Sequence, residues 1–452
     1  MIVRNCVLLG LFMRASLERY FEFERLGTNW RTEALAGVTT FLTMAYIVLV
    51  NPAIRAQTGM PLAAVTAATC LSAAFGSILM GAVARYPLAL APGMGLNAYF
   101  TYTVCLKMHI PWQTALGAVF VSGVLFLLLT TLGIRQLILR SIPHELYAAV
   151  ASGIGLFIAF IGLNKAGLVV ADPATLVRLG NLSDPQAGLA VLGLLLMVSL
   201  EIWHIRGSIL IGVLTVTVLA WALGLAHWHP TPASLRSLTA TTMQLNLRGA
   251  LHVGLFEIIF VFFFVDLFDN LGTLVAVTKR AGLIQKDQAQ HDQDIPRLNQ
   301  ILFSDALATI AGSLTGTSTV TSYVESTAGV AAGGRSGVTA IVTGLLFLIA
   351  LVAAPLLGGI PQAATAPALI LVGSMMLTTI TEIRWTDPLV AVPAFLTLVM
   401  IPLTYSIANG LGFGIVAWAI LHLAAGRVRR CDWLLYLLAA LFLVRFIYLS
   451  GT

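Results

Sequence analysis

Gly316-Thr317-Ser318-Thr319-Val320-Thr321-Ser322-Tyr323-Val324-Glu325-Ser326-Thr327-Ala328-Gly329-Val330-Ala331-Ala332-Gly333-Gly334 is the stretch that decides how this chain is read. It is nearly all small, hydroxylic or glycine residues, with one carboxylate, Glu325, in its middle and strongly apolar sequence around it. Lipid offers no hydrogen bonds, so irregular polar backbone at membrane depth survives only when buried in protein or lining a cavity. The β-branched Thr319, Val320 and Thr321 with Tyr323 suit a short extended piece, and the Ala/Gly run that follows can open a half-helix. The stretch reads as a broken membrane segment built to hold a ligand. A small-residue helix packed tightly on its neighbours is the alternative. It explains the glycines and leaves the glutamate without a reason.

Working outward, composition settles the class. Of 452 residues, 58% are hydrophobic and only 10% charged, where a soluble protein carries about a quarter charged residues. Many apolar runs reach the roughly 20 residues that cross a bilayer. The expectation is an all-α polytopic membrane protein. The net charge of +6 then reflects basic residues anchoring loops on one face rather than a nucleic-acid partner. Cys6, Cys70, Cys105 and Cys431 are scattered, and the eight histidines form no HExxH pair. Neither a metal, a cofactor nor a disulfide is expected.

Residues 1–32 form a basic lead whose apolar patch Val7–Met13 is too short to span and is followed by no small-residue cleavage site. Spans follow at 34–54, 62–84, 88–106, 111–132, 143–163, 187–203 and 208–226, then at 251–277, 299–316, 317–334, 336–357, 363–381, 386–406 and 409–425. That makes about fourteen; a fifteenth apolar run, 433–449, spans or lies at the interface. With the N-terminus inside, eighteen Lys and Arg residues fall on the inner side and six on the outer, as the positive-inside rule requires.

The halves resemble each other. Ala74-Phe75-Gly76-Ser77 matches Ile310-Ala311-Gly312-Ser313, Ser122-Gly123-Val124-Leu125-Phe126-Leu127 matches Thr343-Gly344-Leu345-Leu346-Phe347-Leu348, and Ile142-Pro143 matches Ile360-Pro361. Seven spans per half is odd, so the second copy enters the membrane inverted, the plan of secondary transporters with substrate held between the repeats. The repeat predicts a partner for the opening stretch in the third span. There stands Leu88-Ala89-Leu90-Ala91-Pro92-Gly93-Met94-Gly95-Leu96-Asn97-Ala98, where Pro92 lacks an amide proton and the glycines favour irregular backbone. Two such breaks bring helix N-termini towards one another, with free amides as a spot for an anion or a carbonyl. Asn97 adds an amide, for a ligand or for an interhelical hydrogen bond. In the eighth span Asp266 and Asp269 lie three residues apart on one helical face. Each costs roughly 2.5–3.5 kcal/mol at the bilayer centre, so they should face a cavity, where a carboxylate suits taking up and releasing a proton. A structural hydrogen bond is the alternative, stronger for Asp266 and stronger still for Asp305.

At this point the chain resembles the nucleobase–cation symporters, in their adenine/guanine/hypoxanthine permease branch. The resemblance rests on Ala36-Gly37-Val38-Thr39-Thr40-Phe41-Leu42-Thr43-Met44-Ala45-Tyr46, the Ala91–Asn97 break, Val265–Thr273, Tyr323-Val324-Glu325-Ser326 with Gly333-Gly334-Arg335, Ala366-Pro367-Ala368-Leu369 and Pro402-Leu403-Thr404-Tyr405-Ser406-Ile407. It covers nearly the whole chain. It implies a seven-plus-seven inverted repeat with short strands in spans 3 and 10. A core would take residues 33–142 and 251–358, and a gate 143–250 and 359–452, with the base bound between them. It further implies that Glu325 reads the ring's N–H edge and that Asp269 contacts the base and couples a proton. Asn97, the backbone at Gly95, and Thr321, Ser322 and Tyr323 fall in the same site, with Asp266 behind Asp269. Phe264, Phe268 or Tyr323 would cover the ring face. The partners so implied are a purine, a proton with sodium as the alternative, and the lipid of an inner membrane, and a homodimer is compatible. No catalytic residue is expected. A primary pump would need a nucleotide-binding loop and an intramembrane aspartyl protease a GxGD motif, and neither is present. An anion or dicarboxylate carrier of the same fold is the runner-up; it would favour a basic residue at the breaks.

Overall fold

A computed structural model describes residues 14–133, 143–227, 239–251, 256–282, 297–353, 360–428 and 432–448. Within the helix Phe256–Arg280 several side chains, those of Phe268 and Asp269 among them, fall outside that description. Most of the described apolar residues are helical. In order come α1 (Trp30–Met44), α2 (Ile47–Arg55), α3 (Leu62–Leu79), strand β1 (Leu90–Pro92), α4 (Met94–Ala98) continuing as a π-helix over Tyr99–Lys107, α5 (Trp112–Thr131) and α6 (His144–Lys165). A hairpin β2 (Val169–Asp172) and β3 (Leu176–Leu179) leads to α7 (Pro185–Ile202) and α8 (Ser208–Ala222). The second half brings α9 (Phe256–Arg280), α10 (Leu298–Thr315), β4 (Val320–Ser322), α11 (Ser326–Ala331), α12 (Gly337–Ala353), α13 (Gln362–Met376), α14 (Pro388–Thr404), α15 (Ile407–Ala424) and α16 (Trp433–Tyr448).

Seven of the described helical segments are long and apolar enough to cross a membrane, among them Trp30–Thr58, Leu62–Ala84, His144–Lys165 and Gln362–Glu382. Other spans appear as shorter apolar helices, and the third and tenth as strand plus half-helix. The expected breaks are present. β1 and β4 pair antiparallel, Leu90 with Ser322, Ala91 with Thr321 and Pro92 with Val320. In such a ladder alternate residues turn their N–H and C=O outward, and inside a membrane protein those groups need partners. The Ser77 hydroxyl of α3 supplies them for Leu90, accepting from its N–H at 2.9 Å and donating to its carbonyl at 3.0 Å. The Thr309 hydroxyl of α10 does the same for Val320, at 3.2 and 3.0 Å. The two halves thus solve one problem in one way, although the hydroxyl equivalent to Ser77 lies a helical turn before Ser313, its match in the sequence.

The other sequence matches become reciprocal contacts. Gly123 of α5 lies against Thr309 and Ile310 of α10, while Gly344 of α12 lies against Ala74 and Ile78 of α3. Pro143 and Pro361 precede α6 and α13 as their N-caps, and those helices touch where a Cβ on Gly155 would stand 2.7 Å from the Gly373 carbonyl and one on Gly373 2.4 Å from that of Gly155. Small residues let the backbones meet, as membrane helices require when lipid provides no hydrophobic drive.

One feature departs from the sequence reading and another adds detail to it. The loop after α6 contains a hairpin, because Asp172 caps its turn through the amides of Ala174 and Thr175, which hold its carboxyl below the usual carboxylate range. The fifteenth run forms α16, lying antiparallel along α15: Tyr436 meets Trp418, Phe442 flanks Gly412, and Arg445 donates to Asn409 at 2.8 Å. At the other end of α1, buried Glu33 accepts from the amides of Arg335, Ser336 and Thr339 and from the hydroxyls of Thr28 and Thr339. It caps α12 from a different helix, tying the first span to the eleventh.

Candidate functional site

The site grows from the crossing of the two broken spans. Beyond the ladder, Gly93 N–H donates to the Thr319 carbonyl and Tyr323 N–H to that of Ala89, both at 3.0 Å. The Ser326 hydroxyl accepts from Ala89 N–H at 3.0 Å. Pro92 cannot donate, and its carbonyl gathers two groups instead, the Tyr323 hydroxyl at 2.6 Å and the Asn97 amide at 3.4 Å. Asn97 Oδ1 in turn accepts from the Ser318 hydroxyl. Asn97 is fully buried and braces one break against the other. Gly95 makes room for α6: a Cβ there would stand 2.5 Å from Ile154.

Ser322 donates to Asn270 Oδ1 at 2.5 Å, pinning α9 to the crossing one residue after Asp269. The Asp269 side chain lies outside the described residues, as does that of Phe268; the backbone sets both on the helix that touches β4. Asp266 is buried on the same helix. The hydroxyls of Thr319 and Thr321, the Asn51 Oδ1 and the Asn270 Nδ2 are buried with no hydrogen-bond partner among the described residues. Phe264 packs between Phe260 and Phe263.

Glu325 is only half-buried, and Val324 beside it is 42% exposed, between the buried strand and the buried Ser326. The first amides of α11 are not free: those of Ser326, Thr327 and Ala328 are taken up by the carbonyls of Tyr323, Val324 and Glu325. Free amides were expected at this break; the tight turn takes up those three instead. Glu325 Oε1 accepts from the Tyr46 hydroxyl at 2.8 Å. Tyr46 stands at the junction of α1 and α2 and was not singled out by sequence, where an aromatic in an apolar run reads as packing. Asn51, which donates to Thr69 at 2.7 Å and Thr317 at 3.3 Å, escaped for a similar reason, though an Asn before Pro52 in an apolar span was a usable signal.

No cluster of three or more metal-ligating side chains occurs among the described residues. What the crossing offers is a carboxylate acceptor facing outward, a phenol against it, and hydroxyl and amide groups behind.

Residues 31–413 match the model of a family described as "Permease family". A putative permease, MJ0326, of Methanocaldococcus jannaschii is 49% identical over 436 residues, covering 96% of this chain and 99% of the relative. The adenine permease AdeP of Escherichia coli K12 is 42% identical, covering 96% and 97%. The guanine/hypoxanthine permease PbuG of Bacillus subtilis 168 is 43% identical, covering 96% and 100%. Among solved structures, the transmembrane domain of the cyanobacterial bicarbonate transporter BicA superimposes with a TM-score of 0.61 at 16% identity, over 84% of this chain and 97% of that domain. At that identity the likeness concerns the fold alone.

Proposed function

The chain belongs to the permease family, among its nucleobase permeases, and from that premise we propose that it imports purine nucleobases by proton-coupled alternating access. It is a multi-pass membrane transporter and not an enzyme. The observation that carries the purine reading is Glu325, a partly exposed carboxylate at the crossing of two broken spans, with a donor on its Oε1. A purine presents N–H donors beside ring acceptors on a flat plate. Carboxylate, phenol and hydroxyls complement that edge, and a carboxylate repels an anion, which counts against a dicarboxylate carrier.

In the proposed cycle a proton on Asp269 or Glu325 completes the site, the base binds, and residues 33–142 with 251–358 move as a core against a gate of 143–250 with 359–452. Polar contacts join those bodies at one end of the spans, among them Thr103 to the Tyr405 carbonyl at 2.7 Å, Lys107 to that of Thr404 at 3.0 Å, and Lys165 to Gln57 at 2.8 Å. Opening that end must break them. With the N-terminus in the cytoplasm of an inner membrane, this is the outer end. One proton crossing about 150 mV supplies roughly 3.5 kcal/mol, enough for about 300-fold accumulation. Cells expressing the chain should gain uptake of labelled adenine or hypoxanthine that a protonophore abolishes. Uptake of a dicarboxylate that no purine competes for would replace this reading with the anion carrier.

A further inference from the structure

Tyr46 occupies a position that a packing aromatic does not need. Its ring is 1% exposed, its carbonyl anchors the start of α2 by accepting from Leu49 and Val50, and its hydroxyl reaches across to Glu325 Oε1 in the tenth span. Glu325 therefore takes a phenol on one oxygen, Oε1, while its side chain stays partly exposed beside the exposed Val324. A carboxylate without a proton can only accept, whereas a phenol O–H can donate and can rotate about its C–O bond. The pair is an acceptor and a donor one hydrogen-bond length, 2.8 Å, apart.

Adenine, guanine and hypoxanthine differ along most of their edges. In their 9H forms they share one edge on which a ring N–H and a bare ring nitrogen point out side by side, N9–H and N3. Resting on the purine reading above, we propose that Tyr46 is the specificity residue for this edge. Glu325 accepts from N9–H, and the Tyr46 hydroxyl, released from Glu325, donates to N3. In the empty carrier the hydroxyl keeps Glu325 satisfied, so a ligand must replace that bond at both ends to bind well. A base with N–H but no N3 leaves the phenol O–H without its acceptor. A nucleoside, substituted at N9, offers Glu325 nothing. The arrangement admits several free bases through what they have in common and refuses their nucleosides.

The competing reading is that Tyr46 only holds Glu325 in place. Calorimetry on the purified full chain separates the two, using whichever of adenine and hypoxanthine binds, its 3-deaza and 7-deaza analogues and its 9-methyl derivative. The wild type should bind the 3-deaza analogue about three- to tenfold more weakly than the parent, the loss expected for one neutral hydrogen bond. The 7-deaza analogue should match the parent within about twofold, and the 9-methyl derivative should bind more weakly than either. Tyr46→Phe should bind parent and 3-deaza analogue equally, because the donor that told them apart is gone. A uniform loss across all ligands in Tyr46→Phe, with the 3-deaza ratio preserved, would assign the residue to holding Glu325 alone. Equal binding of parent and 3-deaza analogue by the wild type overturns the proposal without any variant. If no purine binds the wild type, the purine reading itself falls and takes this one with it.

Discussion

Replacing Glu325 by glutamine tests what the carboxylate does, because the structure separates its two jobs. The amide oxygen of a glutamine can still accept from Tyr46 across the same 2.8 Å, so the contact between the first and tenth spans survives. What changes is the other terminal atom, where a carboxylate acceptor becomes an amide able to present N–H to an incoming N–H. Hydrogen bonds to a charged group are worth about 1.5–3 kcal/mol, against about 1 for neutral ones. Loss of roughly 1–3 kcal/mol corresponds to a five- to 150-fold weaker affinity for the base. Folding stability should hardly move, since among the described residues the carboxylate bonds only Tyr46 and its own backbone N–H, both of which a glutamine oxygen can still accept from, and it is partly exposed. Calorimetry in detergent gives the affinity and thermal unfolding of the same sample gives the stability. An unchanged affinity refutes the ligand role of Glu325. So does a fall in affinity matched by a large fall in melting temperature, which would make the residue structural.

Three further outcomes follow from the fold. Thr309→Val keeps the side chain's shape but strips the Val320 N–H and carbonyl of their shared partner; two unsatisfied buried groups cost about 2–5 kcal/mol, read as a lowered melting temperature, and a wild-type melting curve would contradict it. Glu33→Gln turns an acceptor of three amides and two hydroxyls into a group that also donates, at a cost of about 2–4 kcal/mol; a variant as stable as wild type would show that α12 does not depend on this cap. A cysteine at Gln288 should resist a membrane-impermeant thiol reagent in whole cells while one at Ser234 reacts, and the reverse pattern would overturn the orientation drawn from the basic residues.

The breaks were legible because they violate the surrounding chemistry. A proline and two glycines at 92–95, and a hydroxyl-rich run around a lone glutamate, cannot sit in a continuous lipid-facing helix, and both became strand plus half-helix. The small-residue matches between the halves were legible too, because close helix contacts tolerate only glycine there, and they reappear as Gly123 on α10 and Gly344 on α3. Local pattern does not say which distant group satisfies a buried one. Nothing near Tyr46 in sequence names Glu325, 279 positions away. Serines and threonines are common in apolar spans, where most, like Thr66 and Thr130, bond back to their own helix. Ser77 and Thr309 differ only in facing a strand, which is a property of the packing. The hairpin at 169–179 was missed because its strands, four residues each, are too short to show an alternating pattern.

The central claim is that this carrier uses a proton gradient to concentrate a purine, with Asp269 coupling the two. The measurement that bears on it most directly is accumulation of labelled adenine or hypoxanthine in proteoliposomes with an imposed pH gradient, for the wild type and Asp269→Asn side by side. The wild type should concentrate the base above the outside level and lose the excess when a protonophore is added, while Asp269→Asn binds the base and exchanges it without concentrating it. Accumulation by Asp269→Asn equal to that of the wild type, or a wild type indifferent to the gradient, would contradict the account.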